Sequence, residues 1–153
     1  MSINAIPFFQ PTTCLGPGEN LMKALELMLE NKTNHLPICD TDGTFIGVIS
    51  TNAILRALIP ASARVEGGLS NLKFVGDGVR MLTTHLHGLE NLKVGEFAKK
   101  DMPVLQEDSP ILEAVLLLSQ THAPLPVVGK DGKMRGVLSR RALLAYLAQQ
   151  AGL

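Results

Sequence analysis

Residues 36–55 read LPICDTDGTFIGVISTNAIL, and residues 125–144 read LPVVGKDGKMRGVLSRRALL. Nine of these 20 aligned positions are identical, whereas ordinary composition gives roughly one or two matches by chance. The match continues upstream at an offset of 90, where residues 21–28 lie over residues 111–118. The chain therefore contains two copies of one supersecondary unit.

Each copy begins with a predicted helix. In the first copy, a helix near residues 20–31 carries an apolar stripe at helical spacing, formed by Leu21, Leu25, Met28 and Leu29. In the second copy, Ser109 is the expected N-cap and Pro110 the first helical residue, and the helix runs to about Gln120.

Two β-rich runs follow the helix in each copy and predict a hairpin. The runs are separated by Asp42-Gly43 and by Asp131-Gly132, dipeptides that tolerate the positive φ of a tight turn. Ser50 and Ser139 then stand at N-cap positions, which predicts helices over residues 51–58 and 140–150.

The segment between the copies is too long to be one structureless loop. Val79, Leu82 and Leu86 predict an extra helix near residues 77–87, and Val94 with Phe97 predicts a short apolar turn. We therefore expect a first unit at residues 8–60, a connecting segment at residues 61–93 and a second unit at residues 94–150.

Composition narrows the classes of protein. The 153 residues are 46% hydrophobic and 18% charged, which is enough apolar side chain to bury a core. Fourteen Lys and Arg balance 14 Asp and Glu, so the globally basic surface of a nucleic-acid binder is missing. No apolar stretch reaches the roughly 20 residues that span a bilayer, and we expect neither membrane insertion nor a signal peptide.

The only two cysteines are Cys14 and Cys39, which lie 25 positions apart. Two cysteines do not indicate a disulfide framework, and we expect a cytoplasmic protein in a reducing compartment. Cys39 follows an apolar run and is expected to be a buried small hydrophobe.

The repeat resembles the CBS (cystathionine-β-synthase) domain family, whose members usually occur as tandem pairs. The resemblance covers nearly the whole chain and is carried by the Leu-Pro strands, the Asp-Gly turns and the strand ends Gly47–Ser50 and Gly136–Ser139. It implies an α/β fold in which two β-α-β-β-α units pack sheet against sheet about a pseudo-twofold axis. It also implies two clefts between the units, a homodimer of such pairs, and adenosine nucleotides as ligands.

The sequence departs from the family's ligand motif at one position in each copy. The family has an aspartate three residues after the Ser or Thr of that motif, and its carboxylate takes the ribose hydroxyls. Here the matching residues are Ala53 and Ala142. A methyl group accepts no hydrogen bond, and each buried sugar hydroxyl left unpaired costs about 1–3 kcal/mol.

The resemblance nevertheless places a ligand in the clefts, with strand main-chain groups holding a base and polar side chains taking sugar or phosphate. The predicted ligand-binding residues are His35, Leu36, Pro37, Ile38, Ser50, Thr51, Val104, His122, Leu125, Pro126, Val127, Ser139, Arg140 and Arg141.

Two adjacent arginines make the second cleft the better candidate for an anionic ligand. Arg140 and Arg141 open a predicted helix, where cations oppose the macrodipole and a bound phosphate would remove the conflict. The alternative is that both arginines lie on a solvated face or pair with a carboxylate. His35 and His122 are likewise either cleft residues or ordinary loop histidines.

Other chemistry is not indicated. The four histidines and two cysteines form no CxxC or HExxH motif, so no metal site is expected. No arrangement of Ser, Cys, His and Asp predicts catalysis, and we expect no enzyme activity. Nucleic-acid binding through the basic C-terminal region is not expected, because Tyr146 is its one aromatic residue.

We thus expect a regulatory ligand-sensing module without a required cofactor, with AMP, ADP, ATP or S-adenosylmethionine as candidate ligands and an unidentified regulated protein as partner. The alternative is a CBS-pair module for protein interaction or oligomerisation that has lost nucleotide binding through Ala53 and Ala142.

Overall fold

The two copies form two similar helix–strand–strand–helix units. The structure, a computed structural model, describes residues 2–6, 14–59 and 78–153. The first copy consists of α1 (Leu21–Asn31), β1 (His35–Cys39), β2 (Phe45–Ser50) and α2 (Thr51–Leu58). The second consists of β3 (Leu105–Gln106), α5 (Ile111–Gln120), β4 (Leu125–Val128), β5 (Met134–Leu138) and α6 (Arg140–Gln150). The predicted α/β fold class is confirmed.

The segment between the copies is helical where the structure describes it. It contains α3 (Gly78–His87), a short 3-10 helix (Gly88–Asn91) and α4 (Val94–Phe97). The helix predicted near residues 77–87 is therefore present, while residues 60–77 lie outside the described part of the chain. A further 3-10 helix spans Ile3–Ala5.

Capping explains where the helices begin. The Ser50 and Ser139 hydroxyls accept the backbone N–H groups of Ala53 and Ala142, at 3.2 and 3.1 Å, as predicted. The prediction for Ser109 was wrong, because Pro110 is the N-cap of α5 and makes no side-chain capping bond. The Ser109 hydroxyl instead accepts the N–H of Gln106 at 2.9 Å.

Both hairpins turn at glycine. Gly43 and Gly132 have φ angles of 90° and 79°, in the left-handed region where a side chain is disfavoured. The two turns also pair with each other, since Phe45 N donates to Gly132 O and Met134 N donates to Gly43 O, both at 3.0 Å. The two sheets are thus hydrogen-bonded through their hairpin ends.

The repeat extends to a segment that pairs with β4 in the second copy and with β1 in the first. β3 pairs with β4 in parallel, with Leu105 opposite Val127. In the first copy, Leu15 forms a parallel bridge with Ile38. These two pairs match at the same offsets as the sequence repeat. The second copy has the predicted β-α-β-β-α order, whereas the described residues of the first copy have a single bridge in place of the first strand.

Each copy's core is completed by the segment that precedes the other copy. Ile3 and Ile6 pack in the core of the second copy, and Ile3 N donates to Ser109 O at 2.9 Å. Leu89 and Val94, just before the second copy, pack with Leu21 of α1 in the core of the first. This exchange ties the two copies into one unit.

The cysteines correct the sequence-based expectation. Cys39 is buried, as predicted, but it forms a disulfide with Cys14. Leu15 forms a parallel bridge with Ile38 and is hydrogen-bonded to Pro37 and Cys39, which holds Cys14 near the end of β1, and the Cα atoms of the two cysteines lie 5.5 Å apart. Spacing along the chain did not reveal this contact, because it depends on which segment lies at the edge of β1.

Within the described ranges, no helix combines the length and the apolar character that crossing a bilayer requires.

Candidate ligand-binding cleft

A cavity of about 560 Å³, here called the main cavity, lies between the two copies. Its size suits a small ligand rather than a macromolecule. Residues of both copies and of the stretch between α4 and β3 line it: Asn34, His35, Val48, Ser50, Thr51, Asn52, Lys99, Met102, Pro103, Gln120, Thr121, His122, Ala123 and Leu125.

The start of α2 forms one wall of the main cavity. Ser50 caps this helix, and Thr51 and Asn52 in its first turn line the cavity beside it. A helix N-terminus presents unpaired backbone N–H groups and partial positive charge. This wall is therefore polar and suited to an anionic group.

Backbone pairing with β2 brings Lys99 to the cavity. Lys99 N donates to Val48 O at 2.9 Å, and Val48 N donates to Lys99 O at 3.0 Å. This approach requires Gly47, because a Cβ at that position would lie 2.5 Å from Lys99 O. The glycine of the repeat motif thus holds a lysine beside the cleft.

A second cavity of about 470 Å³, here called the lateral cavity, adjoins the main cavity and shares Val48, Ser50, Asn52 and Lys99 with it. Ala53, which stands where the family has its ribose aspartate, lines this cavity, as does Arg56. Among the described residues that line either cavity there is no Asp or Glu. With Lys99 and Arg56 at its walls, the cleft favours a negatively charged ligand.

The opposite wall is held by Arg140. Its guanidinium donates from Nη1 to Thr121 O at 2.7 Å and from Nη2 to His122 O at 3.3 Å. These carbonyl groups follow the last residue of α5, so the guanidinium supplies hydrogen bonds and positive charge at the C-terminal end of that helix. Arg140 does not line the main cavity, but it fixes two residues that do.

His35 lies half-buried at the edge of the main cavity. Its burial, and after that the positive charge of Arg140, lowers the pKa of His35 below the ordinary value of 6.5. The imidazole is therefore neutral at pH 7 and can both donate and accept a hydrogen bond.

A smaller cavity of about 120 Å³, here called the proline pocket, lies where corresponding residues of the two copies meet. Pro37 and Pro126 are repeat partners, as are Val48 and Val137, and all four line it together with Thr33, His35 and Pro124. His35 and Val48 also line the main cavity, so the two cavities share a wall.

The structure distributes the predicted ligand-binding residues over four kinds of position. His35, Ser50, Thr51, His122 and Leu125 line the main cavity, and Pro37 and Pro126 line the proline pocket. Leu36, Ile38 and Val127 are buried in the two cores. Val104, Ser139, Arg140 and Arg141 are not among the residues that line these three cavities.

Main-chain contacts from β1 are more restricted than predicted. The carbonyl oxygen of Pro37 already accepts the N–H of Leu15 at 2.9 Å, and Cys39 N donates to Leu15 O at the same distance. The edge of β1 is therefore occupied by the segment around Leu15. The carbonyl of Pro37 therefore has only its second lone pair left to accept a hydrogen bond from a base.

The second cleft is only partly described. In the repeat register, the counterpart of residues 99–103 is residues 9–13, which lie outside the described ranges. The preference for an anion at Arg140 and Arg141 in that cleft stays a prediction. Arg141 is exposed, and Arg140 binds backbone carbonyls rather than a carboxylate.

Sequence reasoning missed Lys99 and Arg56 as cleft residues. Lys99 lies outside the motif-bearing stretch and reaches the cleft only through its pairing with Val48. One signal was available, since a glycine inside a strand often marks the close approach of another backbone. Arg56 follows one helical turn after the residue at the ribose-aspartate position, on the same face of α2.

No group of three or more His, Cys, Asp or Glu within the described ranges could hold a metal ion.

Two similar helix–strand–strand–helix units with a cleft between them define a tandem α/β repeat protein. The family model of the CBS domain matches residues 9–60 and 94–149. The chain belongs to this family, as the sequence resemblance predicted, and no enzymatic family is indicated.

Relatives of this family include a protein that binds AMP. The chain is 35% identical over 129 residues to CBSX2, a chloroplastic CBS domain-containing protein of Arabidopsis thaliana, over 81% of this chain and 53% of that protein. Crystal structures of CBSX2 alone and in complex with AMP superpose with TM-scores of 0.77 and 0.70 at 24% identity, covering 99% of this chain and 97% and 98% of theirs.

A second relative is a kinase subunit. The chain is 24% identical over 144 residues to the gamma-3 subunit of the 5'-AMP-activated protein kinase of Sus scrofa, over 93% of this chain and 25% of that protein. The chain thus spans about half the length of CBSX2 and a quarter of gamma-3.

Proposed function

We propose that this chain is a regulatory ligand-sensing protein whose main cavity binds an adenosine nucleotide or another phosphate-bearing small molecule. The observation that carries the proposal is the cleft itself, which both copies build and which has cations but no carboxylate among its described lining residues. The AMP complex of CBSX2 supports the choice of ligand class.

The phosphate is the part of the ligand that this cleft holds best. Lys99 supplies a full positive charge, and the first turn of α2 supplies backbone N–H groups beside Thr51 and Asn52. The base then lies towards the wall of His35 and Val48 that the proline pocket shares. Ala53 offers the ribose no acceptor, so affinity depends on the phosphate and base contacts.

This role is binding without chemistry. The hydroxyl of Ser50 accepts the N–H of Ala53 in its capping bond, and the described lining residues include no carboxylate to orient a histidine as a base. A bound nucleotide can still regulate a partner, because it contacts both copies and stabilises the arrangement in which the two copies close around it.

A second candidate function is an interaction module, and one surface favours it. Helices α5 and α6 expose large apolar side chains, with Leu112 82%, Leu116 56%, Leu144 65% and Leu147 38% exposed. Both helices pack in the core of the second copy, and large exposed apolar patches mark interaction sites. We propose that this surface, here called the α5–α6 face, packs against a second copy in a homodimer.

Calorimetric titration of the full chain with adenosine, AMP, ADP, ATP and S-adenosylmethionine distinguishes the two functions. The sensor predicts saturable binding of the phosphate-bearing ligands and much weaker binding of adenosine. Absence of heat from every ligand, together with a dimeric mass of the chain in solution, would select the interaction module instead.

A further inference from the structure

The first copy carries a disulfide where the second copy carries two valines. In the repeat register, Cys14 corresponds to Val104 and Cys39 to Val128, at the offsets of 90 and 89 that relate the rest of the copies. Val128 and Cys39 are equally buried, at 6% and 4% exposed. The fold therefore accepts an apolar pair at this place, and the covalent bond is an addition.

The disulfide fixes the segment around Leu15 to the edge of β1. Leu15 lies between the bonded cysteine and the rest of that segment, and its N–H and carbonyl pair with Pro37 O and Cys39 N, both at 2.9 Å. Farther along, Pro17 O and Glu19 O accept the N–H groups of Gly95 and Val94. The segment thus joins β1 to the residues that complete the first core.

The disulfide lies beside an open cavity. Both cysteines line a cavity of about 300 Å³, with Gly16 and Gly43 among the other residues of its wall. Cys39 is buried, whereas Cys14 is partly exposed, so an attacking group reaches Cys14 more easily. Asp40 is the one charged residue that lines this cavity in the described ranges, which favours an uncharged reductant over an anionic one.

We propose that Cys14 and Cys39 form a reversible redox site that exchanges with a dithiol and thereby releases the segment around Leu15 from β1. A thiolate of the dithiol attacks Sγ of Cys14, and the Cys39 thiolate leaves as the Cys14–dithiol mixed disulfide forms. The second thiolate of the dithiol then attacks the dithiol's first sulfur, which is bonded to Cys14, and the Cys14 thiolate leaves. Two electrons and two protons reach the protein, and the dithiol becomes a cyclic disulfide.

The consequence is local and does not depend on nucleotide binding. The oxidised bond keeps residues 14 to 39 closed as a loop in every state of the chain, which limits how far the segment can move when its two hydrogen bonds open. After reduction no covalent bond holds Leu15 at the edge of β1, and its position there depends on those two hydrogen bonds and on its packing. The amides of Leu15 and Cys39 should then exchange with solvent on the order of 100-fold faster.

The test uses the full chain purified without reductant, titrated with dithiothreitol and followed by maleimide mass labelling and native-state hydrogen exchange. We expect no labelled thiol before reduction and two afterwards, with reversal on reoxidation. We also expect faster exchange at Leu15 and Cys39, with residues 125–128 of the second copy unchanged. Two results would overturn the proposal: free thiols that mild oxidation fails to pair, or a disulfide reduced only where the whole chain unfolds.

The second copy supplies the control variant. Cys14→Val with Cys39→Val installs the apolar pair already present at the matching positions, so the fold should survive. Dithiothreitol should change neither the mass labelling nor the exchange of this variant. An exchange response to dithiothreitol as large as that of the parent chain would show that the effect does not come from these cysteines.

Discussion

The guanidinium of Arg140 donates to the backbone carbonyl of Thr121 at 2.7 Å and so ties the start of α6 to the end of α5. Thr121 lines the main cavity, whereas Arg140 does not. The arginine that the sequence places among the ligand contacts therefore shapes a wall of the cleft and adds positive charge behind it. Its neighbour Arg141 is exposed and makes no such contact in the described structure.

This difference between the two arginines predicts how His35 titrates. Arg140→Gln should raise the pKa of His35 towards its ordinary value of 6.5, because one of the two causes that lower it is removed. Arg141→Gln should leave the pKa unchanged. NMR titration of the His35 ring protons measures both. Equal pKa values in the parent chain and the Arg140→Gln variant would contradict the proposed role of Arg140.

The same shift has a consequence for stability against pH. Because the folded-state pKa of His35 lies below 6.5, the unfolded chain binds more protons as the pH falls through that value. The stability that neutral His35 contributes is therefore complete above 6.5 and declines below it. The decline should be smaller in the Arg140→Gln variant, which denaturant unfolding at several pH values checks.

The two capping serines form a matched pair. Ser50 and Ser139 make equivalent bonds, at 3.2 and 3.1 Å, but only Ser50 lines the main cavity. Ser50→Ala and Ser139→Ala should each lower the free energy of unfolding by about 1 kcal/mol. Only Ser50→Ala should also weaken AMP binding, by about 3- to 10-fold, which corresponds to the net free energy of one hydrogen bond. Equal losses of affinity in both variants would place the ligand elsewhere.

The close approach of Lys99 to β2 makes Gly47 sensitive to substitution. A Cβ at Gly47 would lie 2.5 Å from Lys99 O, whereas a Cβ at Gly88 would meet nothing within 4 Å. Gly47→Ala should destabilise the fold by about 1–3 kcal/mol, and Gly88→Ala should change it by less than about 0.5 kcal/mol. Thermal and denaturant unfolding compare them. Similar stability in the two variants would show that Lys99 does not depend on this contact.

Much of the fold could be predicted from the sequence because its signals are local. The Asp-Gly turns, the serine caps and the apolar stripes each act within one turn or one helix, and the repeat supplied every signal twice. The bounds of α2 and α6 agree with the prediction for this reason. Ser109 was misassigned, because its hydroxyl accepts the N–H of Gln106 in the preceding turn, a contact that the Ser-Pro pattern does not indicate.

The site could be predicted only in part, because it depends on contacts between distant segments. Lys99 reaches the cleft by pairing with Val48, and Cys14 reaches Cys39 through the neighbouring pair of Leu15 and Ile38. Neither pairing has a signal at either residue alone. Arg140 was expected to contact a ligand, but its guanidinium binds the carbonyls of Thr121 and His122 at the end of α5.

The α5–α6 face predicts the state of association. Leu116→Lys with Leu144→Lys places two charges on this face, and both side chains are already exposed, so the fold should keep its stability. We expect a dimeric mass for the parent chain and a monomeric mass for this variant in light scattering coupled to gel filtration. Leu153→Lys, at a side chain 95% exposed beyond the last helix, is the control and should stay dimeric. A variant that remains dimeric would exclude this face as the interface.

Titration of AMP into Lys99→Ala and Lys100→Ala tests the proposed cleft most directly. Both lysines are exposed neighbours, but only Lys99 lines the main and lateral cavities. The account predicts one AMP per chain in the parent protein, a loss of at least about tenfold in affinity for Lys99→Ala, equivalent to about 1.4 kcal/mol, and unchanged affinity for Lys100→Ala. Absence of binding to the parent chain, or equal affinity in the Lys99→Ala and Lys100→Ala variants, would contradict it.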